Sequence, residues 1–145
     1  MKIAVRYQSR GGNTKAVAEV IANNLGVKAE TVDNTISGFV DVLFVGGGVY
    51  MNKPDKSLYN FLSELNSDNV GQIVCFSTSG TMASTIKQIK KIVIHKGISV
   101  NENELLIKML LQGHSSFGLQ GGKLTSKQIQ KIESFVNDTL ISLKN

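Results

Sequence analysis

The sequence predicts an α/β domain built on a parallel β-sheet that is covered by helices on both faces. Strand and helix signals alternate along the whole chain. Two mostly apolar runs, VDVLFV at 40–45 and QIVCFS at 72–77, have the character of buried parallel strands. Neither an internal repeat nor a stretch of linker composition interrupts the pattern, so residues 1–145 are expected to form a single domain.

The first half of the chain is predicted to contain three strands and two helices. Lys2–Tyr7 is the first strand, 28–32 a weak second strand and 40–45 the third, which the glycines at 46–48 are expected to end. Residues 33–39 are turn formers, compatible with a short helical turn. The helices are predicted over Thr14–Leu25 and after Pro54, from apolar residues at helical spacing: Val17, Ala18, Ile21, Ala22 and Leu25, then Leu58, Phe61, Leu62 and Leu65.

The second half continues the alternation. The strand at 72–77 is expected to break at the Thr-Ser-Gly-Thr sequence of 78–81, and residues 98–100 and 105–111 form one interrupted strand or two short ones. A glycine- and serine-rich loop occupies 113–123. Thr125 and Gln128 resemble a capping box. Two helices are predicted in this half. The first ends at Gly97, and its inward residues are Ile86, Ile89 and Val93. The inward residues of the second are Ile129, Ile132, Val136, Leu140 and Leu143.

The composition restricts the classes of protein. Cys75 is the single cysteine, so an internal disulfide or a cysteine metal cluster is excluded. No apolar run is long enough to cross a bilayer, and the N-terminus lacks the pattern of a signal peptide. We therefore expect no membrane span and a cytoplasmic protein.

The chain is basic, with a formal net charge of +5. A cluster of cationic residues lies at 87–96, but there is no tryptophan and few aromatic residues are interleaved with it. Base-stacking surfaces usually require such aromatic residues. Nucleic-acid binding is therefore not expected, and the cluster is more typical of a solvated helix face.

Residues 9–14, Ser-Arg-Gly-Gly-Asn-Thr, lie between the first predicted strand and helix. Such a loop presents free backbone N–H groups and the positive end of a helix dipole, which suit a phosphate. Gly11 and Gly12 allow close approach of the backbone, while Ser9, Asn13 and Thr14 add side-chain donors. The alternative is an ordinary turn followed by a helix cap.

Three loops rich in small polar residues, at 8–14, 46–53 and 78–82, follow predicted strands. Their shared edge is the expected ligand site of a parallel α/β sheet. The first loop ends Gly-Asn-Thr-Lys, which does not match a nucleoside-triphosphate P-loop, and it lacks the three spaced glycines of a dinucleotide site. Tyr7 and Gly46 stand where a phosphoacceptor receiver needs acidic residues. No metal site or nucleophile–base pair is recognisable, so no catalytic residue is predicted.

Segment 7–14 (YQSRGGNT) resembles the flavodoxin phosphate loop, commonly Tyr-x-Ser/Thr-x-Thr-Gly-Asn-Thr. Gly11 stands at the position before the Gly-Asn-Thr, where that family usually has Thr. Residues 45–50 (VGGGVY) with the helix that follows them, and 74–80 (VCFSTSG), are similar to the strands and flavin loops of that family. Residues 106–118 are similar to its fifth strand and following loop. The resemblance implies a flavodoxin-like three-layer sandwich, with a five-stranded parallel sheet in the order 2-1-3-4-5 and helices on both faces.

The resemblance further implies FMN as the cofactor. By this resemblance the phosphate would be surrounded by Ser9, Arg10, Gly11, Gly12, Asn13 and Thr14. The isoalloxazine ring would be framed by the backbone of Gly48, Val49, Tyr50, Met51 and Asn52 and of Thr78, Ser79, Gly80, Thr81 and Met82. Tyr50 and Met51 would pack on a ring face.

The implied function is electron transfer between protein redox partners by an FMN-binding protein. Typical flavodoxins are acidic and this chain is basic, which favours an acidic partner. Two alternatives stay open. One is an FMN-dependent reductase of the NAD(P)H:quinone type, which needs one face of the flavin ring to be open. The other is an interaction module of flavodoxin fold that does not bind flavin, which Gly11 and the glycine-poor loop at 50–52 allow.

Overall fold

The computed structural model describes residues 1–49, 54–80, 84–109 and 122–145. Strands and helices alternate through these ranges almost as the sequence predicts. They are β1 (Ile3–Gln8), α1 (Asn13–Leu25), β2 (Ala29–Thr31), β3 (Val40–Gly48), α2 (Lys56–Ser63), β4 (Val70–Ser79), α3 (Ile86–His95), β5 (Ser99–Lys108) and α4 (Ser126–Lys144). No helix among the described residues is both long and apolar enough to cross a membrane.

The five strands form one parallel sheet in the order β2-β1-β3-β4-β5, which confirms the predicted topology. In this register Gln8 of β1 lies beside Gly47 of β3, and Gly48 lies beside Thr78 of β4. The carboxyl ends of the three central strands therefore meet at one edge of the sheet, next to the loop that precedes α1.

Two apolar cores lie on opposite faces of the sheet, because successive strand residues point to opposite sides. On one face, α1 and α4 pack against residues such as Val5 and Phe76, and the Phe44 and Phe135 rings meet edge to face at 6.1 Å. On the other face, α2 and α3 pack against residues such as Leu43 and Ile73. The sheet with its two helix layers is the predicted three-layer sandwich.

The glycines at 46–48 do not end the third strand, so this part of the boundary prediction is wrong. β3 continues through Gly48, and β4 likewise continues through Ser79 rather than breaking at 78. A Cβ atom on Gly46 would lie 2.3 Å from the carbonyl oxygen of Phe76. Gly46 therefore permits the close approach of the neighbouring strand β4, and it lets β3 continue rather than ending it.

The connection from β2 to β3 contains no helix, although the sequence was compatible with a short helical turn there. Arg6 of β1, only 8% exposed, fills part of this region. Its Nε donates to the carbonyl oxygen of Asn34 at 2.9 Å, and its Nη1 lies 3.0 Å from Oε2 of Glu30. Burial lowers the pKa of the Arg6 guanidinium, and the charge of Glu30 opposes this shift. The cavity beside them has a volume of about 370 Å³.

The fifth strand is one interrupted strand, which settles the choice that the sequence left open. Its pairing with β4 moves from Val100 opposite Ile73 to Glu104 opposite Cys75, so additional residues of β5 bulge out between these pairs. Asn101 in the bulge donates through Nδ2 to the side chain of Gln72 at 3.0 Å. The glycine- and serine-rich loop at 113–123 lies almost wholly outside the described residues. The capping box that opens α4 is confirmed, with both hydrogen bonds formed.

Candidate functional site

The loop between β1 and α1 starts its helix in a way that leaves room for an anion. Gly12 is the N-cap residue of α1, with φ at +97°, and no side chain caps the helix. The first turn carries no acidic residue. Ser9 Oγ accepts a hydrogen bond from the backbone N–H of Gly12 at 3.0 Å, which folds the loop over the helix start. No carboxylate in the first turn of α1 therefore neutralises the positive end of the helix dipole, and such a helix start is the kind of position at which proteins bind anions.

Residues 9–14 are the phosphate-binding candidate loop. Thr14, which is also the second residue of α1, connects this loop to the end of β4. Its Oγ1 lies 2.6 Å from Oγ1 of Thr78. Both side chains are buried, with 1% and 4% exposed. The hydrogen bond between them fixes the separation of two of the three loops that the sequence predicted to share an edge.

Asn13 contacts a segment that is distant in the sequence. Its Oδ1 accepts a hydrogen bond from the backbone N–H of Gly122 at 2.8 Å. Gly122 has φ at +99°, and a Cβ atom on it would lie 3.3 Å from the carbonyl oxygen of Gly12. The chain leading into α4 therefore packs directly on the loop that precedes α1, and the positive φ of Gly122 favours a glycine at this contact.

Arg10 makes an ion pair with Asp55 at the start of α2. Its Nε donates to Asp55 Oδ2 at 2.8 Å, and its Nη2 lies 2.7 Å from the same oxygen. Asp55 also caps α2, because its Oδ1 accepts from the backbone N–H of Ser57 at 2.9 Å. Partial burial raises the pKa of Asp55, but the hydrogen bonds from Ser57 and Arg10 outweigh it, so the pKa lies below its ordinary value.

A buried hydroxyl cluster joins the ends of β3 and β4 to the start of α3. Ser77 Oγ donates to the carbonyl oxygen of Gly47 at 3.0 Å and accepts from the backbone N–H of Thr85 at 3.2 Å. Both Ser77 and Thr85 are fully buried. The end of β4 and the residue that precedes α3 are thereby held together.

The structure brings most of the predicted site residues to one edge of the sheet. Ser9, Arg10, Gly11, Gly12, Asn13 and Thr14 form the turn into α1, and Gly48, Val49, Thr78, Ser79 and Gly80 lie at or directly after the ends of β3 and β4. Tyr50, Met51, Asn52, Thr81 and Met82 lie outside the described residues. Their proposed contacts with a ring therefore stay predictions.

The sequence reasoning missed Asp55, Ser77, Thr85 and Gly122, all of which hold the loops in place. Asp55 had a local signal, because an acidic residue before an amphipathic helix is a typical N-cap. Its pairing with Arg10, and the contact of Gly122 with Asn13, have no local signal, since the partners are far apart along the chain. No cluster of metal-ligating side chains occurs in the described part of the chain.

Comparison with known proteins supplies the family and the fold. A family model described as a flavodoxin domain matches residues 4–137. An uncharacterized protein of Methanocaldococcus jannaschii is 25% identical over 126 residues, which covers 82% of this chain and 80% of that protein. A solved flavodoxin from the domain Archaea has a TM-score of 0.70 at 21% identity and covers 100% of both chains.

A further solved structure is similar over almost its entire length. It is a short-chain flavodoxin associated with a non-canonical PDU bacterial microcompartment, with a TM-score of 0.72 at 14% identity. The match covers 98% of this chain and 99% of that chain. At these identities the structural similarity shows the fold.

Proposed function

Because this chain belongs to the flavodoxin family, we propose that it binds FMN at the carboxyl edge of its sheet and carries electrons between protein redox partners. The observation that most strongly supports this is the uncapped, glycine-led start of α1 within the loop that matches the family's phosphate loop. The proposed location is the cytoplasm, with the lone buried cysteine in support.

The chain's own part in this function is to hold the two ends of the cofactor. Residues 9–14 would bind the phosphate through neutral backbone and hydroxyl donors, which can hold a dianion without a lysine clamp. Gly48, Val49, Thr78, Ser79 and Gly80, together with the predicted residues at 50–52 and 81–82, would frame the ring. The flavin supplies the redox chemistry when bound, and the protein supplies orientation and electrostatics.

The hydrogen bonds described above support a preorganised site. The Thr14–Thr78 bond would set the distance between the phosphate end and the ring end of the cofactor. Ser77 and Thr85 would keep the 78–84 loop closed at its base. A loop that is already in place loses less conformational entropy when the ligand binds.

The charge of the surface near this edge supports an acidic redox partner. Helix α3 begins shortly after the 78–84 loop and contains no acidic residue. Lys87 and Lys91 are exposed on it, whereas Lys90 is paired with Glu104 of β5. Complementary charge accelerates the encounter of redox proteins, so a partner with an acidic docking surface is the one that fits.

The first experiment is the visible absorption spectrum of the purified protein, before and after adding FMN and removing the excess. One flavin retained per chain supports the proposal. Stepwise reduction then distinguishes the two redox functions. In an electron carrier, one-electron-reduced flavin accumulates. In a reductase, NADH or NADPH bleaches the flavin directly in a two-electron step. A folded, colourless protein that does not retain FMN contradicts the proposal and favours an interaction module.

A further inference from the structure

Gln8 carries a buried polar atom that the protein itself does not satisfy. It is the last residue of β1, directly before the loop at 9–14, and only 6% of it is exposed. Its Oε1 has no hydrogen-bond partner among the described residues. A buried acceptor without a donor is destabilising, and most native proteins avoid one. Such an atom at the edge of a candidate site can accept a hydrogen bond from a bound ligand.

On the side of β3, the fold offers Gln8 no side-chain hydrogen-bond donor. Gly47 lies beside it in the sheet register. A Cβ atom on Gly47 would lie 3.6 Å from Gln8 Oε1 and 2.9 Å from Cδ2 of Leu58. The residue beside Gln8 in the sheet is thus a glycine, which has no side chain that could donate to Oε1.

The position of Gln8 in the fold indicates which part of the ligand it meets. Under the proposed function, the phosphate lies at the loop after β1 and the ring lies at the ends of β3 and β4. The polyhydroxyl chain that joins them must cross the edge of the sheet where β1 meets β3. Gln8 and Gly47 are the residues paired there.

The chemistry of a hydroxyl matches a carboxamide in either orientation. A hydroxyl can donate a hydrogen bond to Oε1, and it can equally accept one from Nε2 if the amide is turned over. We infer that Gln8 is a specificity-determining residue that hydrogen-bonds a hydroxyl of the FMN ribityl chain. This inference rests on the proposed function, and it assigns a role to a residue that the phosphate-loop pattern leaves unspecified.

The test combines one substitution with one change in the ligand. Gln8→Leu replaces the carboxamide with an apolar side chain of similar size. Dissociation constants are measured for FMN and for 10-(5-phosphopentyl)-7,8-dimethylisoalloxazine, which keeps the ring and phosphate but has no linker hydroxyls. Gln88→Leu is the matched control, because Oε1 of Gln88 on α3 is the other buried side-chain atom without a partner in the described residues.

We expect Gln8→Leu to raise the dissociation constant of FMN about three- to tenfold, as loss of one hydrogen bond implies, and to leave that of the pentyl analogue unchanged. Gln88→Leu should change neither. The thermal midpoint of the flavin-free Gln8→Leu protein should not fall, because the substitution removes an unsatisfied acceptor. This last result separates a ligand contact from a purely structural role.

Two results would overturn the inference while leaving the proposed function intact. In one, Gln8→Leu weakens FMN and the pentyl analogue by the same factor, which places the effect away from the linker hydroxyls. In the other, it changes neither constant. If the wild-type protein binds neither ligand, the proposed function itself fails and the role of Gln8 fails with it.

Discussion

The guanidinium of Arg10 lies 2.7 Å from Oδ2 of Asp55, and this ion pair connects the turn into α1 with the start of α2. Asp55 is also the N-cap residue of α2. One end of the segment between β3 and α2 is therefore attached to the sheet through Gly48, and the other end is attached to the phosphate-binding candidate loop.

We expect Asp55→Ala to weaken FMN binding about three- to tenfold and to destabilise the protein by about 1 kcal/mol, mainly through loss of the helix cap. Arg10→Gln should cost less stability, since exposed pairs contribute about 0.2–1 kcal/mol. The double variant should weaken FMN binding by less than the product of the two single effects, measured by fluorescence titration. The same cycle on the exposed Lys15–Glu19 pair of α1 is the control, and equal coupling in both cycles would contradict the role assigned to Arg10 and Asp55.

The stability contributed by Asp55 should depend on pH. Its pKa is lowered in the folded protein, so the folded state binds this proton more weakly than the unfolded chain does. The contribution is present above the unfolded pKa of about 3.9 and is lost as the pH falls through the folded value. The thermal midpoints of wild type and Asp55→Asn should therefore differ by a constant amount near neutral pH and converge below about pH 4. A gap that persists unchanged to pH 3 would contradict this.

Removing one partner of the Thr14–Thr78 pair should leave a buried hydroxyl unsatisfied. Thr14→Val or Thr78→Val is expected to cost about 1–3 kcal/mol in the free energy of unfolding. The double variant should cost less than the sum, because both hydroxyls then disappear together. Urea unfolding of the four proteins measures the cycle. Strictly additive costs would show that the 2.6 Å contact contributes no energy of its own.

Cys75 should be unreactive while the protein is folded. Burial raises the pKa of its thiol to about 12, and the side chain is fully buried within the sheet. Because the thiolate is the reactive form, alkylation by iodoacetamide at pH 8 should be negligible in buffer and complete in concentrated urea. Labelling of the native protein at the rate of a free thiol would show that β4 is accessible to solvent.

The glycines at the end of β3 should differ in their tolerance of alanine. Gly46→Ala places a Cβ atom 2.3 Å from the backbone oxygen of Phe76, which cannot move without separating the strands. We expect a cost of about 3 kcal/mol in the free energy of unfolding. Gly47→Ala meets the end of the Leu58 side chain at 2.9 Å, which can rotate, so its cost should be about 1 kcal/mol. Equal costs from urea unfolding would contradict the assignment of Gly46 to a strand contact.

The residues that the sequence placed correctly are those whose signal is local. Val17 and Ile21 recur at helical spacing and are buried, and Thr125 with Gln128 forms the predicted capping box. Gly46 was misjudged because the need for a missing side chain comes from a neighbouring strand. The residues next to Gly46 in the sequence cannot reveal its contact with Phe76, because that contact depends on the register of two strands.

The site residues show the same division. Ser9 and Thr14 could be placed from the loop pattern, which is short and continuous. The neutralisation of Arg10 by Asp55 could not, since it depends on how α2 is packed against the sheet. Arg6 also required the structure, because its counter-charge comes from Glu30 on the adjacent strand. Contacts between segments that are far apart along the chain leave no repeating pattern in a single sequence.

The two outer strands bear on how this protein behaves at high concentration. An exposed strand edge is a template on which a second molecule can add its own strand, and this is a common route to aggregation. Here β2 offers only three residues, and β5 is bent by its bulge near Asn101. Neither edge presents a long, straight row of unpaired amides in the described part of the chain. The sheet therefore discourages growth by edge-to-edge association.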